Sequence, residues 1–478
     1  MTGRHSRQDA TAPKPQQRFR DTTLGGPWAA LAAILAGAAA LRIVGIAYGR
    51  PFPLFSPDEK SIVPRAWQMV HGGGLDPHWF DYPTLLMYLL APFQAWESGP
   101  SYLAARLVVL VLALGAIAAS WWLGSRAYGG PAGAVAAGVV AVETTAVAFS
   151  RMAVTDIPLT LGVAASLALL AGGRIELGGL VGGLATSVKY PGLFLLVPLA
   201  VAGYRQRRRL AVALLLAVLA FCATSPFVVA HFGAALDDAY RVQKLAQQGW
   251  LGFEHDHIAP IAFVVRLWHG LGPALIVCVL GLASALAARR RADLILASFV
   301  LVYFVDLCTL GAHFDRYLLP LLPPLGALAG RFRGLAPVTL LLLVVPLTWS
   351  VRDARDLTKT DTRVVAHRWV ERHLPTGTRL AIDPSLTPFA GYRVLQLQLP
   401  LPEERRPDQN RNLHRLRAKG FRYAVVTGAV ADRVLAARGH YPRETAFYES
   451  LRRTRRVYYV APGDRYAGPW VAVYHFSP

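Results

Sequence analysis

Residues 26–48 read GPWAALAAILAGAAALRIVGIAY, and residues 102–124 read YLAARLVVLVLALGAIAASWWLG. Each run is apolar apart from one arginine, Arg42 in the first and Arg106 in the second. Each reaches the roughly 20 residues that a helix needs to cross a bilayer core. The first run is too long and starts too late for a cleaved leader, and no small-residue cleavage site closes it. It is read as a retained first span.

Similar blocks recur along the chain. The later expected spans are Tyr102–Gly124, Pro131–Ser150, Ile157–Gly172, Glu176–Val188, Pro191–Gly203, Leu210–Ala230, Ala259–Ala287, Asp293–Leu310, Tyr317–Gly330 and Leu335–Ser350. Lys189-Tyr190-Pro191-Gly192 breaks the helix between two short ones, because proline and its predecessor disfavour continued helix. Composition agrees: 54% of the 478 residues are hydrophobic and 17% charged, where a soluble chain carries about a quarter charged. Mean hydropathy is +0.35. The expected fold is a polytopic α-helical membrane protein with about eleven spans, followed by a small soluble α/β domain. The divisions are a tail over 1–25, a membrane module over 26–350 and an α/β domain over 351–478.

Charge orients these spans. Arg126, Arg174, Arg205 to Arg209, Arg289 to Arg291, and Arg331 with Arg333 fall in every second connection. The other connections hold Asp58-Glu59, Asp156, Lys189, the stretch from Asp237 to His257, and Asp315-Arg316. Basic loops stay cytoplasmic, so in the cell membrane the N-terminus is expected on the cytoplasmic side and the C-terminal domain outside, periplasmic or extracellular. The net charge of +21 is then explained by orientation and by anionic membrane lipid, not by nucleic acid. Cys222, Cys278 and Cys308 all sit in apolar blocks without a CxxC pair, which excludes a disulfide framework or a zinc ribbon.

After Val351, arginine becomes frequent and apolar runs shorten. A helix fits Asp361–Leu374, and strands fit Arg379–Ile382, Val394–Leu399, Tyr423–Thr427 and Trp470–Phe476. Helical stretches near Asn410–Lys419 and Val430–Arg438 lie between them. Before the second span, Asp58–His71 and Pro83–Trp96 read as helices at the membrane surface.

Polar residues at membrane depth are costly and are functional candidates. Ser56-Pro57-Asp58-Glu59 has the form of a capping box, with Ser56 as N-cap and Glu59 reaching back. That accounts for Glu59 and leaves Asp58 without a structural role. Asp156 is either an N-cap or a second acid facing Asp58, and Arg151 is a partner for it. Lys189 at its helix break either snorkels or holds a phosphate. Arg316 in His313-Phe314-Asp315-Arg316-Tyr317 suits a phosphate too. Arg266 is either the partner of buried Glu143 or a further phosphate contact. His231, His255, Asp256, His257 and His269 make a divalent metal conceivable, although no ligand set is assigned.

With these residues in place, the chain resembles the GT-C glycosyltransferases. Within them it is similar to the family 39-like group, which includes protein mannosyltransferases that use dolichyl-phosphate-mannose and the lipid A aminoarabinose transferases. The resemblance rests on Pro57-Asp58-Glu59, on Asp76-Pro77-His78-Trp79-Phe80-Asp81-Tyr82-Pro83, on Ser150-Arg151 with Asp156, on Lys189 in a small-residue break, and on Arg316-Tyr317-Leu318-Leu319-Pro320. It implies transfer of a sugar from a polyprenyl-phosphate donor to a hydroxyl of a protein, lipid or glycan acceptor, with inversion. Carried over, Asp58 is the base and Asp156 a supporting acid, while Glu59 stays a catalytic candidate from its place beside Asp58. Lys189 and Arg316 contact the phosphate, and Tyr317, Arg151, Tyr82 and Arg266 line the substrate. Aminoarabinose transferases often carry a basic residue near the position of Asp81-Tyr82, and none stands there in this sequence. That counts somewhat against lipid A modification. The rival from another class is a transporter or flippase, for which an internal repeat is expected and none is found.

Overall fold

The computed structural model describes residues 26–401 and 408–476, so the expected tail over 1–25 lies outside the described residues. Two helices are by themselves long and apolar enough to cross a membrane. One is Tyr102–Tyr128 with 27 residues, and the other is the continuous stretch Arg333–Asp356 with 24. Of the other expected runs, some form single shorter helices, such as Asp156–Ala171 and Arg291–Leu307, and some are divided for a local reason. The run 131–150 becomes helices Gly130–Val142 and Thr144–Phe149, because Glu143 leaves helical geometry and its carboxylate accepts the Ala146 N–H at 2.6 Å as an N-cap. The run 259–287 is cut at Gly272, whose φ of +56° separates Ala259–Leu271 from Ala274–Ala288.

Helix ends leave backbone carbonyls that lipid cannot satisfy, among them those of helices Gly130–Val142 and Pro27–Ile43. Two buried arginines take them. Arg42 donates to the carbonyls of Val140 and Ala141 at 2.9 and 2.8 Å, where helix Gly130–Val142 ends. Arg151 donates to Leu41 and Val44 at 2.6 and 2.8 Å, where the first helix, Pro27–Ile43, ends. Arg151 therefore does not pair with Asp156. It caps the first helix, and the substrate-lining place expected for it gives way to this role.

Helices pack through small residues where they approach most closely. On helix Ile175–Val188, Gly179 and Gly183 face the backbone of helix Arg207–Thr224, and a Cβ on either would overlap the carbonyl of Ala213 or Ala217. This small-xxx-small spacing lets two backbones touch. The same helix ends at Lys189, so its seating fixes where that cation stands.

The chain beyond helix Val344–Asp356 forms a five-stranded mixed sheet and a separate two-stranded pair. The strands are β1 (Thr360–Asp361), β2 (Arg379–Ile382), β3 (Arg393–Gln396), β4 (Tyr423–Thr427), β5 (Arg455–Val460), β6 (Tyr466–Ala467) and β7 (Val471–His475), with β1 paired to β6. The main sheet runs β3-β2-β4-β7-β5, parallel among β3, β2 and β4 and antiparallel at β7 and β5. Side chains alternate between its faces. Leu380, Ile382, Val425 and Val473 pack with helix Thr362–His373, whereas Ala381, Ala424, Val426 and Tyr474 meet helices Gly428–Ala436 and Pro442–Arg452. Strand β5 and helix Pro442–Arg452 were not expected from sequence.

This sheet docks at one end of the helical part. Arg363 donates to the Leu54 carbonyl at 3.1 Å, and Phe52 lies 4.6 Å from the His367 ring. From another connection, Leu251 enters the sheet's core and Glu254 accepts from the Tyr441 hydroxyl at 2.7 Å.

Gly183→Val is expected to force helices Ile175–Val188 and Arg207–Thr224 apart, at a cost of roughly 1–3 kcal/mol. Gly182→Ala, whose added Cβ would meet nothing nearer than 3.7 Å, is its control. Thermal unfolding in detergent should show a lower midpoint for Gly183→Val alone. Equal midpoints would refute the close approach.

Candidate active site

Four polar residues from different connections converge at the end of the helical part where the sheet docks. Asp58 stands in the first turn of helix Pro57–Val70, which starts at Ser56 because the Ser56 hydroxyl accepts the Asp58 N–H and Pro57 suits the first helical position. Its carboxylate accepts from Arg316 at 2.5 Å and from the Tyr82 hydroxyl at 3.2 Å. Asp156, at the start of helix Asp156–Ala171, is paired with Lys189 at 2.6 Å. Lys189 lies in extended backbone between helix Ile175–Val188 and the 3-10 turn Tyr190–Leu195.

Aromatic rings enclose these charges. The Lys189 ammonium sits 5.6 Å from the Tyr82 ring centre and 5.2 Å from that of Tyr317, and the Arg316 guanidinium is 5.7 Å from Tyr317. Phe314 stacks edge-on against Tyr317 and against Trp250, which itself packs on the core of the sheet. Two polar atoms in this cluster, Asp156 Oδ2 and Arg316 Nε, are buried and make no hydrogen bond among the described residues. Burying such groups unpaired is costly, so the cluster is built with capacity for a further polar ligand. Two acids and two cations side by side offer a proton acceptor next to an anion site.

Other expected members stand apart. Glu59 is fully buried and does not complete a capping box. Its two oxygens hold Arg106 bidentately at 2.8 Å each, and it accepts the Ala153 N–H at 2.9 Å. With its oxygens so engaged it has no means of taking a substrate proton, and it is better described as a structural anchor. Arg266 pairs with Asp256 at 2.6 Å and with Asp315 at 3.1 Å, not with Glu143. It supports the segment before Arg316 and does not join the cluster. Asp256 is thereby taken up by Arg266 and His313, and no group of three or more metal-binding side chains assembles among the described residues.

Two basic residues were missed. Arg241 reaches Asp81 at 2.5 Å and Asp238 at 2.9 Å, and Arg65 lies 4.5 Å over the Trp79 ring. No basic residue adjoins Asp81-Tyr82 in the sequence, and tertiary packing instead brings Arg241 to Asp81 from a distant connection. Arg65 was detectable, because it lies two turns after Asp58 on one helix. Nothing local marks Arg241.

With this geometry in view, comparison with known proteins gives a consistent picture. The model of glycosyltransferase family 87 matches residues 79–310. No protein of curated function matches the sequence. Among solved structures, the chain is similar to ArnT from Cupriavidus metallidurans bound to undecaprenyl phosphate, with TM-score 0.55 and 16% identity over 95% of this chain and 98% of that one. It is also similar to the oligosaccharyltransferase of Archaeoglobus fulgidus, with TM-score 0.57 and 13% identity over 92% of this chain and 74% of that one. A complex of the latter, AglB, with an inhibitory peptide and a dolichol-phosphate gives TM-score 0.56 and 12% identity over 91% and 73%. At these identities the likeness is one of fold, and that fold is the GT-C fold expected from the resemblance.

Glu59→Gln is expected to leave Arg106 buried without its counter-charge, and loss of one partner of such a pair costs about 3–5 kcal/mol. The variant should show a much lower folded yield and unfolding midpoint. A double variant with two apolar residues, Glu59→Leu and Arg106→Met, should recover part of the loss. Wild-type stability in Glu59→Gln would refute the anchor role.

Proposed function

We propose that this chain transfers a sugar from a polyprenyl-phosphate-linked donor to an acceptor hydroxyl at the outer face of the cell membrane. The observation that carries this reading is the paired arrangement of Asp58 with Arg316 and Asp156 with Lys189, set among aromatic rings in a GT-C fold. A lipid phosphate is an anion of the kind that guanidinium and ammonium groups bind. Its arrival draws Arg316 from Asp58 and Lys189 from Asp156. Asp58 is then free to accept a proton, a few ångströms from the bound phosphate.

In the proposed reaction the acceptor hydroxyl gives its proton to Asp58 while its oxygen bonds to the anomeric carbon. The bond from that carbon to the phosphate oxygen breaks on the opposite side, with inversion, and the phosphate keeps the electron pair. Lys189 and Arg316 hold the charge that grows there. Asp156 orients Lys189, and Tyr82 and Tyr317 shape the site and limit water. Asp58 and Asp156 are the acids that would hold a divalent ion, which would supply positive charge to the leaving phosphate; activity lost to chelation and restored by the ion would reveal it. The sugar and the acceptor, whether protein, lipid or glycan, are set by contacts beyond this cluster.

The proposed layout keeps about eleven crossings, the module over 26–350 and the C-terminal domain over 351–478. Its sidedness is supported by how charges sort in space. Arg331, Asp293, Tyr128 and Arg333 meet one another at connections assigned to the cytoplasm. Asp58, Asp156, Lys189 and Arg316 come from connections assigned outside. Reporter fusions near Gly203 and after Ser350 are expected to report opposite sides of the membrane. Matching signals would overturn the orientation.

Asp58→Asn keeps size but not basicity, and sugar transfer should fall about 10²–10⁴-fold. Its affinity for the donor should hold or rise, because the rival anion for Arg316 is weakened. Arg316→Ala and Lys189→Ala should each weaken donor binding about ten- to a hundredfold, as expected for a charge-assisted contact. The measurements are donor binding by the purified protein and transfer from a polyprenyl-phosphate sugar. Full transfer activity in Asp58→Asn would rule out the proposed base. Unchanged donor affinity in both cation variants would rule out the phosphate site.

A further inference from the structure

A second site lies in the C-terminal sheet, apart from the Asp58 cluster. Between the end of helix Pro442–Arg452 and the edge strand β5 is an open cavity of about 560 Å³, lined by Arg452, Arg456, Tyr459, Trp470 and Tyr474. A strand normally points residues three apart to opposite faces. Here the pairing of β5 with β7 slips between Arg456 and Tyr458, so that Arg456 faces Tyr474 and Tyr459 faces Ala472. The bulge turns Arg456 and Tyr459 to the same face, and the guanidinium lies 4.7 Å from the Tyr459 ring centre. Bulges of this kind re-aim side chains on edge strands.

The rest of the lining is held in place. Asp432 accepts the Trp470 indole N–H at 2.8 and 3.0 Å, which fixes the ring 6.2 Å from that of Tyr459. Burial raises the pKa of the Tyr474 hydroxyl, and Arg456 and Arg452 pull it the other way, so both guanidiniums act on one point of the cavity. Both arginines are exposed, and neither has a carboxylate partner among the described residues. Arg363 and Arg411, by contrast, are paired with Asp361 and Asp383. The cavity thus combines fixed aromatic rings with two cations that lack an anion.

We propose that this cavity binds an anionic carbohydrate, with a sugar ring against Tyr459 and Trp470 and its carboxylate or phosphate on Arg452 and Arg456. A planar guanidinium matches either anion with two parallel hydrogen bonds, and aromatic faces accept the C–H face of a pyranose. The cavity is also linked to the transfer site. Asp432 is followed by Arg433, whose side chain packs on Gly252 in the connection that carries Trp250 against Phe314. The choice of a sugar rests on the proposed transfer reaction, but the test needs no turnover, so the two readings fail separately.

The test is calorimetric titration of the full-length protein in detergent with trigalacturonate, a short uronic-acid oligosaccharide, and with neutral maltotriose. Trigalacturonate is expected to bind and maltotriose to bind at least about tenfold more weakly. Arg452→Gln with Arg456→Gln, and separately Trp470→Ala, should each weaken trigalacturonate about tenfold or more with unchanged thermal unfolding, while Asp58→Asn binds as the wild type does. Equal affinity for both sugars, loss of binding in Asp58→Asn, or no binding up to about 10 mM would overturn the proposal. So would capture of phosphatidylglycerol vesicles or an oligothymidylate through the same arginines without trigalacturonate binding.

Discussion

The buried pair of Glu59 and Arg106 is the constraint on which the arrangement around Asp58 depends. Arg106 comes from the longest helix and, besides Glu59, donates to the carbonyls of Ile46 and Tyr48 at 3.1 and 3.0 Å. Glu59 in turn takes the Ala153 N–H from the turn just before Asp156. One ion pair therefore ties together the end of the first helical region, the helix bearing Asp58, helix Tyr102–Tyr128 and the segment that leads to Asp156. Taking two charges out of water is expensive, and a buried pair offsets that cost only when its hydrogen bonds are complete. Here they are nearly so, which makes this pair a rigid reference point. Asp58 is its immediate neighbour in sequence. In a first helical turn, adjacent residues point about 100° apart, so anchoring Glu59 inward turns Asp58 toward Arg316 and Tyr82.

A similar economy governs the two cations. Both stand where regular helix fails. Lys189 precedes the 3-10 turn Tyr190–Leu195, and Arg316 lies inside the 3-10 turn Asp315–Leu321. Pro191 and Pro320 enforce these turns, since neither can donate to an α-helical ladder. Non-helical backbone at membrane depth is tolerated only where protein or a polar cavity surrounds it. The breaks thus mark the same place as the charges, and for the same reason: a lipid-facing wall would permit neither.

Much of this was legible in the sequence because the signals are local. Apolar length marks the helices, Ser56-Pro57 marks a helix start, and Lys189-Tyr190-Pro191 marks a break. Asp58, Asp156, Lys189 and Arg316 were singled out as charges in alternate connections, and in the structure they do meet. Pairing was not legible. A buried charge needs a partner, but sequence does not say which, and Glu59, Arg151, Arg266 and Glu143 all found partners other than those expected. Glu143 and Arg151 serve backbone groups, which no side-chain pattern announces. Strand β5 was hidden because Arg455 and Arg456 open it and its bulge spoils the alternation that identifies a strand.

The C-terminal sheet belongs to the site's construction more closely than a tethered appendage would. It meets the helical part on two fronts, through Arg363 and His367 on the segment from Phe52 to Leu54, and through the core that receives Leu251. The first segment leads directly into Ser56 and Asp58. The second carries Trp250, whose ring contacts Phe314, two residues before Arg316. The sheet therefore touches both sequences that supply the Asp58–Arg316 pair, one from each side. A close-packed interior transmits displacement because it has little free volume. A shift of the sheet would change the separation of acid and cation, the quantity that decides whether Asp58 is bound to Arg316 or free to accept a proton. The same sheet holds the aromatic cavity at β5, and packed contacts, not a flexible linker, join that sheet to the segments that carry Asp58 and Arg316.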